Sequence, residues 1–511
     1  MNFKESWANM REKEGYQIKL FKDKKFARKQ CHSCQRFFWT LDPDRKTCGD
    51  APCDEYTFIG NPPIKQKYNL HEMREAFLKF FEEHNHSRVK RYPVVAARWR
   101  DDVYLTGASI YDFQPWVTSG QVSPPANPLT ISQPSIRFTD IDNVGRSGRH
   151  FTCFEMMAHH AFNSEQQKIY WMDETVEYCH EFLVDRLKLK QEEISYIEDF
   201  WEGGGNAGED LEVLVCGLEL ATLVFMHYEK INGQYKELPL KIVDTGYGLE
   251  RFVWLTQGTP SAYEATLGSA ILKLKKLAGI EEIDKKILIE SAKFAGLIDL
   301  KVSGNLRLLR SKVAEKVGLT VEELEKLVKP FEAIYTIADH SRCLAFMFGD
   351  GIVPSNVREG YLARLVLRRT LKFMQEIGLE VPLSEIVKIH IDELGRDFLE
   401  LKENERYILE IVDLEERRYK ETLARGRRLV EKISNYLLRE NKTEMPIDML
   451  VDLYDSHGLP PEIVREVVES QGIKVIIPDD FYIKVGTRHA EIRLETLTEP
   501  KKFEGKIRDL P

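Results

Sequence analysis

The hydrophobic rhythm of this chain switches near residue 262 from strand-like to helical, and that switch limits its fold more than any other feature. Between residues 90 and 260, short β-type runs alternate with Gly, Pro and Asn turns (RYPVVAARW, DVYLTGASI, PLTISQPSIRFTDI, HFTCFEMM, EVLVCGLELATLVFMHYEK, LPLKIVDTGYG). From Tyr263 almost to Gly472 the pattern is helical, in long charged amphipathic stretches. Strands first and helices afterwards predict an α+β architecture: an antiparallel sheet with flanking helices, followed by a mainly helical region. Upstream, the run NLHEMREAFLKFFEEHN places Met73, Phe77, Phe80 and Phe81 at helical spacing, with Asn69 as its N-cap. At roughly 150 residues per domain, the 511 residues make three or four units. Punctuation sets them at 1–62, 63–262, 263–478 and a β-type segment, 479–511, that reads as the approach to a further domain.

Composition removes several classes. With 43% hydrophobic and 30% charged residues the chain can bury large cores, so wholesale disorder is excluded. No apolar run reaches the roughly 18 residues of a membrane helix, and the opening MNFKESWANMREKEG has no apolar core of a secretory signal. The expectation is a soluble cytoplasmic protein with no membrane partner. Eight cysteines are too few for a disulfide scaffold. A net charge of −9 gives no global attraction to nucleic acid, although residues 1–30 and 417–432 are each locally +5.

Half of the cysteines are crowded into CHSCQRFFWTLDPDRKTCGDAPC, as C-x2-C, 13 residues, then C-x4-C. Two tight pairs allow Cys31, Cys34, Cys48 and Cys53 to converge on one tetrahedral ion, and four thiolates leave no open position, so a structural Zn2+ in a zinc-ribbon-like knuckle is the reading. Disulfides or an empty site are the alternatives. His32 reads as an exposed neighbour. Cys153, Cys179, Cys216 and Cys343 read as reduced core residues.

Two further constellations carry chemistry. QPSIRFTDIDNVGRSGRHFTCFEMMAHHAFN reads as strand, polar loop, strand, with Arg137 on the first strand, Arg149 and His150 opening the second, and Phe154 four residues on. An arginine facing a groove can grip a phosphate in two-pronged fashion, and a ring on the adjacent strand can stack on a base. An ordinary charged hairpin is the plain alternative. Adjacent His159 and His160 point to opposite faces of a strand, which favours core or surface roles over a metal. In KIVDTGYGLERFVWL an apolar strand ends in Asp244, an anion suited to a primary ammonium. Gly246 and Gly248 admit close backbone approach, and Arg251 stands at the strand–helix junction. The spacing is neither of the two common glycine-rich phosphate loops.

QPSIRFTD with HFTCF resembles motif 2 of the class II aminoacyl-tRNA synthetases, DTGYGLERF resembles their motif 3, and the helix at 69–86 with YPVV occupies the place of motif 1. FQPWVTSG, PPANPLTISQPSIR, TDIDNVGRSGRH, DFWEGGGNAGE, GLELATLVFM, DHSRCLAFMFGDGIVPSNVREGYLARLVLRR and LVDLYDSHGLPPEIV, together with the cysteine cluster, look like the archaeal-type alanyl-tRNA synthetase family over nearly the whole chain. The resemblance implies a class II antiparallel catalytic domain at 63–262 and a helical tRNA-recognition domain at 263–478. It implies ATP and Mg2+ as cofactors, and alanine and the tRNA(Ala) acceptor stem as partners. Arg137 would hold the α-phosphate, His150 and Arg251 the β/γ end, and Phe154 the adenine. Asp244 would take the alanine ammonium. Trp201, Thr222 and Val224 would wall the methyl, with Ile110 nearby and Gly248 in the same pocket. Asn356 and Asp448 would read the stem's G·U pair. Arg364 and Arg368, with Lys372, stand at steps of four on one helix face, where phosphate contact and a solvated charged face are equal readings.

A methyl-sized pocket separates alanine from glycine by only about 1–3 kcal/mol and rejects an added hydroxyl poorly, so glycine and serine are expected to leak through. The family's editing zinc site, with His-x3-His and Cys-x3-His spacing, has no counterpart among the 13 His and eight Cys. The chain is therefore expected to be a catalytic and tRNA-recognition part, an excised fragment or a short form, without editing and monomeric. The rival readings are a catalytically silent, synthetase-like RNA-binding or regulatory protein and an enzyme that passes activated alanine to another acceptor.

Overall fold

The structure, a computed structural model, describes residues 15–231, 233–297, 305–459, 461–478 and 481. The segment expected over 479–511 therefore lies, apart from Phe481, outside the described residues, as does the start of the N-terminal extension.

One nine-stranded sheet organises the first part of the chain. Its strands are β1 (Ala27–Gln30), β2 (Phe37–Thr40), β3 (Ser87–Arg88), β4 (Leu129–Ile136), β5 (Cys153–Asn163), β6 (Ile194–Gly203), β7 (Asn206–Val215), β8 (Leu218–Ile231) and β9 (Gln234–Gly248), in the order β1-β2-β6-β7-β8-β9-β5-β4-β3. Every described pairing is antiparallel except β3 with β4. β4 is buried at all eight positions although four of them, Thr130, Ser132, Gln133 and Ser135, are polar, and Thr130 and Ser132 hydrogen-bond to β5 through the Ala158 carbonyl (3.0 Å) and the Glu155 carboxylate (3.0 Å).

The helix Leu70–Glu83 begins as expected. The Asn69 side chain accepts the Glu72 N–H (2.9 Å), and the Glu72 carboxylate accepts the Asn69 N–H (3.0 Å), a reciprocal cap. Met73, Phe77, Phe80 and Phe81 are buried. Phe77 packs on Tyr247 of β9 (4.8 Å between centroids), and Phe81 stacks on His159 of β5 (4.2 Å). This helix thus covers one face of the sheet and leaves the other to the candidate site.

Two expected strands are absent. RYPVVAARW and DVYLTGASI form irregular backbone with 3₁₀ turns at Ala96–Arg98 and Ser109–Asp112. The physical reason lies in Asp350, whose carboxylate accepts the Val94 N–H (2.7 Å) and two bonds from Arg91 (2.8 Å each). A side chain from a helix end replaces the ladder partners that a strand would need. Conversely, the cysteine-bearing segment joins the sheet edge, because β2 pairs with β6 from Phe38↔Ile197 to Thr40↔Ser195.

From Leu249 the chain is helical among the described residues, as the periodicity predicts. It divides into two compact units, residues 1–415 and 416–511, with the helix Glu405–Arg439 running through both. In the first unit, the helix Val321–Gly349 is buried almost continuously from Ala333 to Phe348. Gly145, at φ +84°, lies against it, and a Cβ there would come within 2.4 Å of the Glu332 carbonyl oxygen. In the second unit, the helix Ile447–His457 ends on Gly458 in the left-handed region (φ 65°), and Leu459 tucks against Gly426. No helix among the described residues is long and apolar enough to cross a membrane.

Candidate active site

The exposed-side face of β5, β9, β8 and β6 forms the floor of a cavity of about 520 Å³. Its lining brings together Arg137, His150, Phe154, Trp201, Thr222, Val224, Asp244, Gly248 and Arg251, nine of the ten residues expected at the nucleotide and amino-acid sites. Cross-strand register explains the convergence. Thr222 faces Gly246 and Val224 faces Asp244 across β8 and β9, and Met156 faces Gly248 across β5 and β9. Directly opposed residues share a sheet face.

Ile110 is the exception. It is fully buried in the 3₁₀ turn, behind the cavity wall, where it packs with Val224, Phe113 and Trp201. Residues three apart eclipse in such a turn, so Ala108 and Tyr111 reach the cavity and Ile110 faces inward. Two placements also shift slightly. Arg137 stands one residue past β4, its N–H still donated to the Thr152 carbonyl (3.0 Å), and Arg149 and His150 lie in the loop before β5 rather than on it.

One end of the cavity is cationic and braced. Arg137 Nε donates to the Gly107 carbonyl (2.9 Å), and its guanidinium lies 5.1 Å from the centre of the Phe154 ring. Burial lowers the pKa of Arg137 and the nearby Arg251 cation adds to this, yet a guanidinium stays protonated. Arg251 pairs with the Glu219 carboxylate (3.0 Å) and donates to the Glu219 carbonyl (3.0 Å). His150 is fixed by Ser147 Oγ, which lies 2.8 Å from Nδ1 and accepts the backbone N–H at 3.1 Å. Arg149 also lines the cavity and donates to the Tyr56 hydroxyl (2.8 Å).

The other end is small and has one buried anion, Asp244. Burial alone pushes the Asp244 carboxyl up to about 7. Among the described residues no Lys or Arg pairs with it; the nearest charged or titratable partner is His160, with Nδ1 3.5 Å away. Trp201 closes this end. Its ring lies over the β6–β7 turn, where a Cβ on Gly203 would meet the indole at 2.3 Å, and Gly204 and Gly205 supply the left-handed turn (φ +58° and +86°). Gln114 and Arg100 brace that turn through the Gly203 and Gly204 carbonyls (3.2 and 3.3 Å).

Sequence reasoning missed Glu219. Strict alternation would put residues 218, 220, 222 and 224 on one face. A bulge between Val213↔Ala221 and Leu214↔Glu219 inserts a residue, so Glu219 joins Thr222 and Val224 on the cavity side and accepts the Thr222 hydroxyl hydrogen bond (3.2 Å). Burial raises the Glu219 carboxyl, but Arg251 outweighs this and holds it ionised.

The four clustered cysteines converge. Their sulfurs lie within 4.8 Å of one another, and Cys34 Sγ is 3.8 Å from Cys48 Sγ. Ligands about 2.3 Å from one tetrahedral ion stand about 3.8 Å apart, so the donor set fits Zn2+. All four are free thiols, which removes the disulfide alternative in this structure. Burial and the neighbouring thiols push Cys48 up, while hydrogen bonds from the knuckle backbone draw Cys31 down to about 7 against its own burial. His32 is exposed, as expected. Arg36, between the two halves of the knuckle, ties it to the sheet through Asp50 (2.8 Å) and Glu212 (2.7 Å).

The residues expected at RNA are divided between the units. Asn356 is exposed on the loop before the helix Arg358–Glu376, and its Oδ1 accepts from Arg364. Arg364 also pairs with the buried Glu415 (3.2 Å). Arg364, Arg368 and Lys372 are half-buried, and Lys372 pairs with Glu376 (3.6 Å). Asp448 is exposed in the first turn of the helix Ile447–His457, within the second unit.

Comparison with known proteins converges on this site. The alanine–tRNA ligase of Pyrococcus abyssi is 56% identical over 509 residues, covering 96% of this chain and 56% of the relative. That of Methanococcus maripaludis (strain C5) is 55% identical over 493 residues, covering 95% and 55%, and that of Methanothermobacter thermautotrophicus 54% over 475, covering 93% and 52%. The chain spans about half the length of the curated relatives it matches. The family profile described as tRNA synthetases class II (A) matches residues 72–507, a stretch that includes Arg137, Phe154, Asp244 and Arg251 of the cavity. On the antiparallel sheet, the motifs and this match together, the chain belongs to the class II (A) tRNA synthetases.

Proposed function

We propose that the chain activates alanine with ATP and passes the alanyl group to tRNA(Ala). The observation that carries this is the single cavity, with Arg137, Phe154 and Arg251 at one end and Asp244, Trp201, Thr222 and Val224 at the other. Adenine stacks on Phe154, Arg137 holds the α-phosphate, and His150 and Arg251 hold the β/γ end. Asp244 takes the ammonium, Gly248 lets the sheet approach the substrate, and Trp201, Thr222 and Val224 surround the methyl group, with Ile110 filling in behind.

A carboxylate oxygen of alanine attacks the α-phosphorus, the bond to the bridging α–β oxygen breaks, and pyrophosphate leaves. No general base is required, because the attacking carboxylate is already ionised at neutral pH. Rate comes from alignment and from cations placed where charge develops. A ribose hydroxyl at the tRNA 3′ end then attacks the alanyl carbonyl, and AMP leaves. Mg2+ supplies charge neutralisation on the phosphates when bound; Glu219, ionised and lining the cavity, fits such a cation, which takes few protein carboxylates beside phosphate oxygens. Zn2+ held by Cys31, Cys34, Cys48 and Cys53 is structural.

Asn356 and Asp448 read the acceptor-stem G·U pair, with Arg364 and Arg368 beside Asn356 on the same helical region. Residues 63–262 serve as catalytic domain and 263–478 as tRNA-recognition domain. The setting is cytoplasmic and the chain acts as a monomer. Pyrophosphate exchange into ATP, run with alanine, serine and glycine, tests the reading. Exchange with alanine in excess of the other two is expected, and none with any of them removes catalysis. Charging of tRNA(Ala) with and without the G·U pair then separates this reading from transfer to another acceptor.

A further inference from the structure

Asp244 poses a physical problem that its own strand does not solve. A buried carboxylate must stay ionised to hold an ammonium, yet a neighbouring Lys or Arg would occupy the place the substrate takes. What the structure puts beside it is His160. This ring is fully buried on β5 between Phe113 and Phe162 (centroids 5.3 and 6.4 Å). Nε2 lies 2.9 Å from Ser109 Oγ, Nδ1 has no hydrogen-bond partner, and Nδ1 stands 3.5 Å from Asp244 Oδ1.

We propose that His160 is a positioning residue for amino-acid binding, a neutral dipole that holds Asp244 in its substrate-ready rotamer and ionised state through an Nδ1–H aimed at the carboxylate, with Ser109 fixing the tautomer. The tautomer follows from the surroundings. With the proton on Nε2, the Nδ1 lone pair would face a carboxylate oxygen in a dry site. With the proton on Nδ1, the Ser109 hydroxyl donates to Nε2 and the N–H faces the anion. Burial lowers the imidazole pKa to about 3 even though interaction with the Val243 backbone raises it, and His86 adds a small repulsion, so the ring supports the anion as a dipole and brings no charge to compete with an ammonium. The inference rests on the alanine-activation reading and adds to it a group that does not touch substrate.

Three substitutions at one position test it in the exchange assay on the full chain. His160→Phe keeps the ring and loses both nitrogens. His160→Asn places an amide N–H near the former Nδ1, and His160→Gln places one near the former Nε2. In the Phe variant the KM for alanine should rise about tenfold, in line with the loss of a group that orients a ligand-holding side chain. The KM for ATP should stay put, the Asn variant should recover most of the loss, and the Gln variant should not. An unchanged alanine KM in the Phe variant, an equal rise for ATP, or Asn no better than Gln overturns the proposal. If the unaltered chain shows no alanine-dependent exchange, the functional reading fails and a second measurement decides this one. 15N shifts of labelled histidine should show Nδ1 protonated at His160 and displaced in Asp244→Asn. Protonation on Nε2 overturns the positioning role whatever the substrate.

Discussion

Single residues carry the chemistry, and two of them give sharp expectations. Arg137→Ala removes a guanidinium held in place by Gly107 and Phe154. Loss of one pre-placed donor at a developing charge costs about 100-fold or more in rate, so exchange should fall by at least that factor; activity near the unaltered level would remove its phosphate role. Asp244 gives a pH signature. Its free-state carboxyl is raised to about 7 by burial, so protonation takes hold as pH falls below that value and removes the anion proposed to meet the ammonium. The ratio kcat/KM for alanine should drop about tenfold per pH unit on the acid side of 7, read from a profile between pH 5.5 and 8 (roughly), while a profile flat through 7 would clear Asp244 of that role. Most of this site was legible in the sequence, because Arg137, Phe154, Asp244 and Arg251 are chemically distinctive and sit in recognisable strings. Glu219 was not legible, since the bulge at Leu220 breaks the alternation that assigns residues to faces. Ile110 stands behind the cavity wall, not on it, because it is buried in a 3₁₀ turn among Phe113, Val224 and Trp201.

Elements were legible where hydrogen bonding is local or ladders are uninterrupted. The Asn69 cap and its helix follow from i, i+3 chemistry, and β7 to β9 from apolar alternation. The segment 91–110 was not, because its backbone partner, Asp350, lies more than two hundred residues away and no local pattern announces it. Similar long-range ties join the helix Val321–Gly349 to the sheet. Arg342 pairs with Glu250 (2.9 Å, both almost fully buried) and donates to the Cys153 carbonyl, and Asp339 accepts the Thr152 N–H (3.1 Å). Breaking a buried pair from one side costs about 3–5 kcal/mol, because a charge is left stranded. Arg342→Met should therefore lower Tm markedly, and Arg342→Met with Glu250→Gln should regain much of the loss. Additive losses would show that the two side chains are not coupled.

At the scale of the whole molecule, the cysteine knuckle and the residues proposed to meet RNA are absent from the lining of the cavity, and each predicts a separable phenotype. Metal analysis should find about one zinc per chain, lost with partial unfolding of the first unit in Cys48→Ser; a metal-free preparation with an intact fold would exclude the ion. Asn356→Ala should reduce tRNA charging about tenfold or more, as expected when a pair-reading hydrogen bond of about 1–3 kcal/mol is removed, and leave exchange unchanged; equal loss of both would erase the division of labour. The two arginines expected at ATP are both anchored from behind by one helix. Arg137 hangs from Thr152, which Asp339 holds, and Arg251 follows Glu250, which Arg342 holds. Anyone grafting the helical segment of a distant cousin onto this sheet would have to transplant Asp339 and Arg342 as well, or the hybrid would leave both arginines of the cavity without their backing.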